Sequence, residues 1–322
     1  MNSKAILEIW ADLKTSKIDK KVRKVGDGLI MIFDPVTQTT KIAILVESSW
    51  DNSLFPKWSG ISFSMDVFSL PVEKDYLVLE LVDSGQSEIF VFVCMDLIEN
   101  MGDCKGHIRD ARIQETISQW NNFFKENKEK LMPVKVQQGL FAELKFLYRL
   151  LKSKLISNSN AISSWKGAER AYHDFQYENR VIEVKSTTGK EPKMVRISNE
   201  KQLNDINIKK LLLLATSLTN VNGAETLEDL VISINRIILN EEMIKDSFDM
   251  KLLKYGLKME DIKKYTTGYI VEKEQSFTIS DGFPRIINAP NGLAEIKYSV
   301  LINSCSEFEF DNEKLIGAFI HD

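Results

Sequence analysis

The chain has 322 residues, 43% of them hydrophobic, and its 42 Lys+Arg against 46 Asp+Glu give a formal charge of −4. That balance excludes a disordered or collagen-like chain, and the length suits about two domains with a sizeable buried core. Three cysteines (Cys94, Cys104, Cys305) without CxxC or Cys/His spacing argue against a zinc module or a secreted disulfide scaffold, and no apolar run approaches the ~18–20 residues that cross a bilayer.

Glu8 and Asp12 interrupt the apolar residues of the first segment, which is wrong for a signal peptide, so a cytoplasmic protein with no membrane partner is expected. After a short amphipathic N-terminal helix, residues 27–97 read mostly as strands: LIMIF, KIAILV, ISFSM, YLVLELV and EIFVFV, with turn-like DPVTQ and DSGQS between them. The spacing predicts a helix over 116–132 ending at Pro133, then a strongly periodic helix over 137–155. NSN at 158–160 breaks it. A strand-dense region follows, with ISSW, YHDFQY, VIEVKST and MVRIS, then a short helix over 197–207 capped by Ser198. LLLLATSL reads as a buried strand. Beyond 220 come the apolar run LVISINRIIL, one or two helices within 241–264, and the strand-like TGYIVEK, SFTIS and EIKYSVLI. The expected domains are a β-rich lobe over 1–115, a core over 116–220 and an α+β region over 221–322 packed on that core.

The near-neutral total conceals an asymmetry. Between 125 and 210 there are 18 Lys+Arg against 10 Asp+Glu, which leaves 24 against 36 elsewhere. The middle third is the candidate face for a polyanion; the alternative is ordinary solvated helix surface.

Within that third, Glu143 lies within about 60° of Leu140, Phe146, Leu147 and Leu150 on a helical wheel, in the middle of the apolar stripe. A buried carboxylate needs a cation, a metal or a proton beside it, unless it snorkels outward or pairs with an arginine. In YHDFQY-EN-RVIEVK, a turn at Glu178 and Asn179 sets Tyr177 opposite Arg180, and the register then sets Asp174 opposite Glu183 with Lys185 on the same face. Two carboxylates at ~4 Å repel by about 4 kcal/mol at an effective dielectric near 20, so a divalent cation between them is the expected remedy. An exposed hairpin with ordinary surface charge is the bland alternative.

Glu143, Asp174 and Glu183-Val184-Lys185, on helix, strand and strand, resemble the PD-(D/E)XK nuclease signature. GLFAEL, Trp165 ahead of HDF, VIEVKST and ISNEKQL further resemble the PD-(D/E)XK motif proteins of bacterial restriction and phage-defence gene clusters. His173 stands where the signature's name has proline, and the gap of eight residues between Asp174 and Glu183 is short. A decoy, Asp281 with Glu295-Ile296-Lys297, lacks a preceding helix with an inward glutamate and a following glutamine helix.

The resemblance implies an α/β (α+β) restriction-endonuclease-like αβββαβ core and a metal-dependent endodeoxyribonuclease acting in restriction or anti-phage defence. It implies Asp174, Glu183 and the Val184 carbonyl as ligands of Mg²⁺ or Mn²⁺, and Glu143 for a second ion or an outer-sphere water. Lys185 would orient the attacking water, and Gln202 would position water or phosphate. The basic surplus offers Lys145, Lys166, Lys190, Lys193 and Lys201, with Lys152 and Lys154, as contacts to DNA phosphates. Methyltransferase or ATPase subunits are the expected partners, and a homodimer would suit double-strand cleavage. A catalytically silent DNA-binding or scaffolding subunit is the non-enzymatic alternative, and RNA or damaged DNA are alternative substrates of the same site.

Other chemistries lack their residues. There is no GxxxxGK[ST] loop and no HExxH, and His107 and His321 stand apart from other site features. His173 would point away from Asp174 across its strand, in a structural role.

Overall fold

Alternating apolar residues over the first hundred positions build a sheet, and a parallel pair of apolar strands builds a second one further on. The computed structural model describes residues 1–16, 22–48, 50–51, 55–69, 73–126, 131–169, 171–287, 293 and 295–321. The chain divides into two units, Met1–Glu129 and Lys130–Asp322.

In the first unit, α1 (Ser3–Thr15) starts where the Asn2 side chain accepts from the Ala5 N–H, and it buries Ile6, Trp10 and Leu13. Strands β1 (Val22–Gly26), β2 (Leu29–Asp34), β3 (Thr39–Leu45), β4 (Ile61–Ser69) and β5 (Glu73–Leu81) form an antiparallel sheet in the order β1-β2-β3-β5-β4. Four of the five runs read as strands are among them. The fifth, EIFVFV, instead lies in a helix, α2 (Ser87–Met101). An unbroken apolar run suits a buried helix as well as a strand. Here Glu88 occupies the first turn, where the helix dipole favours a carboxylate, and every residue from Phe90 to Leu97 is buried. Even Asp96 is enclosed, accepting from Trp120 Nε1 at 2.8 Å.

The next helix, α3 (Gly106–Glu126), begins ten residues before the expected start at 116 and belongs to the first unit. Residues 127–130 of the expected helix lie outside the described residues.

The second unit opens with α4 (Val134–Ser153), whose last turn closes on Lys154 in a left-handed conformation. The NSN run starts another helix, α5 (Asn158–Ser164), with Ser157 accepting from the Asn160 N–H; ISSW is therefore helical, not a strand. Strands β6 (Phe175–Tyr177), β7 (Arg180–Thr187), β8 (Met194–Ile197) and β9 (Lys210–Glu225) follow. The expected helix over 197–207 is only a 3₁₀ turn, Glu200–Leu203, capped by Asn199 instead of Ser198. LVISINRIIL falls mostly in α6 (Leu227–Ile237), started by a reciprocal cap between Thr226 and Asp229. Then come α7 (Glu242–Tyr255), β10 (Tyr269–Thr278), β11 (Tyr298–Leu301), β12 (Glu309–Phe310) and α8 (Leu315–Ile320).

The main sheet runs β12-β10-β9-β7-β6, with β7 parallel to β9. Ile182, Val184, Leu212 and Leu214 pack on one face with Phe146, Leu147, Leu230, Ile234 and Phe319 from the helices. Val181, Leu211, Leu213 and Ala215 face the other way, against Val195, Ile197 and Val300 of the small β8-β11 sheet. Both faces are covered, which is why these strands are nearly continuous apolar runs. The fold is the expected mixed α+β class, and β8 leaves the main sheet to pair with β11. Residues 221–322 contribute β10 and β12 to the same sheet as β7 and β9. Among the described residues, no helix is long and apolar enough to cross a membrane.

Candidate active site

The stripe on α4 that buries Leu140, Phe146, Leu147 and Leu150 also buries Glu143, which is 5% exposed. Its carboxylate does not snorkel out. Trp165 Nε1 donates to Oε2 at 2.7 Å, and the Tyr255 hydroxyl donates to Oε1 at 2.7 Å. Burial and the neighbouring Asp174 charge push the Glu143 carboxyl up to about 8, against the pull of these two donors.

The hairpin forms in the expected register. Glu178 takes the left-handed conformation of the turn, Tyr177 pairs with Arg180, and the ladder ends at Phe175 with Ile182. One step further, the Asp174 side chain replaces the missing strand neighbour: its Oδ2 accepts the Val184 N–H at 2.8 Å. The Asp174 carbonyl accepts from the Lys166 and Gly167 N–H groups, which turns the chain away from the sheet there. A strand residue's N–H and C=O point to the same edge, so the Val184 carbonyl is directed to the edge that carries the Asp174 carboxylate.

Glu183 and Lys185 share the other strand face, beside Leu213 and Ala215 of β9. Glu183 is completely buried. Lys185 Nζ stands 2.5 Å from its Oε1 as a close ion pair, and Oε2 has no hydrogen-bond donor among the described residues. Burial and then Asp174 raise the Glu183 carboxyl well above its ordinary value. Burial also raises Asp174, with Lys185 and the Val184 N–H opposing it. For Lys185, burial would lower the ammonium, but Glu183, Asp174 and Glu143 outweigh it and hold it above its usual range. Three carboxyls, of which Glu143 and Glu183 are buried and Asp174 is partly exposed, therefore share one ammonium, and a further cation would favour their ionisation.

Among the described residues, no three His, Cys, Asp or Glu side chains stand at a spacing that would ligate one ion together. Glu143, Asp174 and Glu183 influence one another electrostatically but do not form a single three-carboxylate cage. Among the described residues, what remains open to a cation is Asp174 Oδ1, Glu183 Oε2 and the carbonyl edge of Val184. This all-oxygen set fits Mg²⁺ or Mn²⁺, which bind through one or two carboxylates and keep several waters.

The remaining sequence candidates are placed as follows. Gln202 uses its carboxamide oxygen within its own turn, accepting from Ser198 N at 3.0 Å and Ser198 Oγ at 3.1 Å, and the hydrogen bonds described for the three carboxyls do not include it. Lys145 is paired with Glu225, Lys166 with Glu169 and Lys193 with Glu272. Lys201 donates to the Tyr172 hydroxyl at 3.0 Å and lies over that ring, while Lys190 is exposed. Lys152 lies over the Tyr148 ring. His173 is half-buried, and burial followed by the Lys185 charge lowers its pKa. Asp281, Glu295 and Lys297 of the decoy pattern are all exposed.

Sequence reasoning missed three contributors. Tyr255 reaches Glu143 from 112 residues away, and nothing local marks it. Lys251, 5% exposed, grips the Trp165 carbonyl at 2.6 Å and Glu169 at 2.5 Å. Gly167 is the position where a Cβ would stand 2.2 Å from Glu143 Oε2. A glycine two residues after a buried tryptophan was the only visible hint. A family model described as "Putative PD-(D/E)XK family member, (DUF4420)" matches residues 7–303. No curated protein and no solved structure matches the chain.

Proposed function

The chain belongs to this PD-(D/E)XK family, and from that premise we propose that it is a metal-dependent endodeoxyribonuclease that hydrolyses phosphodiester bonds at the Glu143, Asp174, Glu183 and Lys185 cluster. The observation that carries the reading is Glu183: a fully buried carboxylate crowded by the charges of Asp174 and Glu143, with Lys185 its one close cation among the described residues and no donor on its Oε2. A cluster of carboxyls that share a single ammonium costs a fold several kcal/mol unless a further cation belongs beside it.

Asp174, Glu183 and the Val184 carbonyl would hold a Mg²⁺ or Mn²⁺ ion. When bound, such an ion supplies Lewis-acid polarisation of the phosphate and a more acidic water. Lys185 remains an ammonium at neutral pH, because the surrounding carboxyls hold its proton at Nζ. Its role is therefore to donate hydrogen bonds to the attacking water or the phosphate and to offset charge gathering on the scissile oxygens, not to act as a general base. Glu143, fixed by Trp165 and Tyr255, presents an acceptor of set orientation at the back of the site.

DNA as the substrate is supported by the basic surplus between 125 and 210, and binding should weaken steeply with salt. Lys152, Lys154, Lys190 and Lys201 are the candidates for which no carboxylate ion pair is described. A role in restriction or anti-phage defence, with methyltransferase or ATPase partners in the cytoplasm and a homodimer for double-strand cutting, extends the proposal on the sequence resemblance.

The test is purified protein with Mg²⁺ or Mn²⁺ on plasmid, phage genome, modified DNA and RNA, beside Glu183→Ala and Lys185→Ala. Cleavage by the wild type alone supports the reading. Identical behaviour of all three proteins on every substrate ends it.

A further inference from the structure

We propose that Tyr255 is a positioning residue of the site: from the end of α7 it fixes the Glu143 carboxylate jointly with Trp165, and metal affinity depends on that hold. The inference rests on the metal-nuclease reading above and goes beyond it by assigning a task to α7, which carries none of the motif.

The argument starts from helical spacing. Lys251 and Tyr255 are four residues apart on α7 and so share a face. Lys251 binds the Trp165 carbonyl and Glu169, while Tyr255 binds Glu143 on α4. One helix face thus ties the segment 165–169 to the helix that carries Glu143. The rings of Trp165 and Tyr255 lie 6.0 Å apart at 27°, and each presents its single polar hydrogen to a different Glu143 oxygen.

A glycine makes room for this arrangement. At Gly167 a Cβ would overlap Glu143 Oε2, at 2.2 Å. At Gly139, one turn before Glu143 on α4, a Cβ would stand 3.4 Å from the Tyr255 hydroxyl, an ordinary van der Waals contact, so the hydroxyl lies directly against α4 there.

Two donors from separate segments leave the carboxylate one orientation. Groups that orient a metal site from outside its ligand set commonly change metal affinity about 10- to 100-fold when removed.

The experiment compares full-length wild type with Tyr255→Phe, Glu143→Met, the double variant and Tyr265→Phe. Tyr265 is a buried tyrosine whose hydroxyl accepts from Met132 N, and it serves as the control for loss of a hydroxyl elsewhere in the same unit. Mn²⁺ binding is read by electron paramagnetic resonance titration, and cleavage of plasmid DNA is followed against Mn²⁺ concentration. Tyr255→Phe should weaken Mn²⁺ binding about 10-fold, with cleavage recovering at saturating Mn²⁺, while Tyr265→Phe binds as the wild type does. In the Glu143→Met background, Tyr255→Phe should add nothing, because a residue that acts through another is non-additive with it.

Wild-type affinity in Tyr255→Phe, or a full additional loss in the double variant, overturns the inference while leaving the nuclease reading intact. A wild type that neither binds Mn²⁺ nor cuts DNA overturns the nuclease reading, and this inference with it.

Discussion

Each unit of the chain places a lysine among carboxylates, and the two arrangements behave oppositely. On the sheet of the first unit, Lys41 lies 3.0 Å from Asp34 and 3.4 Å from Glu80, directly opposite Glu80 in the strand register. Asp34 also accepts from the Val36 and Thr37 N–H groups, and Glu80 accepts from the Thr39 hydroxyl. All three charged side chains keep about a fifth to a quarter of their surface in water, and the Lys41 ammonium holds the Asp34 carboxyl down at about 2. In the second unit, Lys185 faces a Glu183 with no exposure at all, and burial drives the carboxyls of Glu143, Asp174 and Glu183 upward. Similar residue types thus satisfy one another where water completes the charge balance, and remain in deficit where carboxyls as enclosed as Glu143 and Glu183 outnumber their cation. A deficit of that kind is what a ligand can fill.

The comparison breaks most visibly at Glu183. Glu183→Gln should reduce cleavage by about 10³-fold, the several kcal/mol that a bound metal ion contributes to the transition state. Cleavage of plasmid DNA against Mn²⁺ concentration checks this, and a glutamine variant as active as the wild type would falsify the assignment of Glu183.

Next in size is the pH response. Glu143 is raised from 4.5 to about 8 in the folded chain, so between those values the native state binds more protons than the unfolded one. The stability of the metal-free second unit should therefore be greatest near pH 4.5 and fall as pH rises toward about 8, by an amount on the order of a few kcal/mol. Denaturant titrations at several pH values test the slope, and Mg²⁺ or Mn²⁺ should flatten it. A flat metal-free profile would sink the prediction.

Gly167→Ala comes third. The added methyl must displace the Glu143 carboxylate, at about 1–3 kcal/mol of stability, and cleavage should fall with it. Thermal unfolding alongside a cleavage assay reads both effects.

The smallest effect is expected in the first unit. Asp34→Asn should change stability at neutral pH by only ~0.2–1 kcal/mol, since the pair is partly solvated. Because the folded Asp34 value lies below 3.8, its contribution is present above that pH and is lost as pH falls toward about 2. Acid titration of the variant should lose that component, and an asparagine protein that matches the parent from pH 4 to pH 2 would refute it.

Much of the site's skeleton was legible in the residues. The α4 stripe, the Glu178-Asn179 turn and the register of β6 against β7 followed from periodicities of 3.6 and 2, which need no knowledge of distant chain. EIFVFV and ISSW were misread because short apolar segments fit helix and strand equally well, and neighbouring elements decide between them. Gln202 was assigned by its resemblance to a glutamine on the helix that follows, and the structure has it in a 3₁₀ turn with its carboxamide oxygen accepting from Ser198. The lysines counted toward a polyanion face are partly neutralised by Glu169, Glu225 and Glu272, two of which lie outside the basic stretch.

By itself, then, the sequence determined which side chains share a face of one helix or one hairpin, because local geometry repeats from residue to residue. Only the tertiary structure decided that Tyr255 and Lys251 of α7 hold Glu143 and the Trp165 segment in place, that Glu183 is sealed from water, and that β8 leaves the main sheet. Those outcomes depend on contacts between positions far apart in the chain. Burial and the electrostatics that follow from it are properties of the packed whole, and no local pattern encodes them.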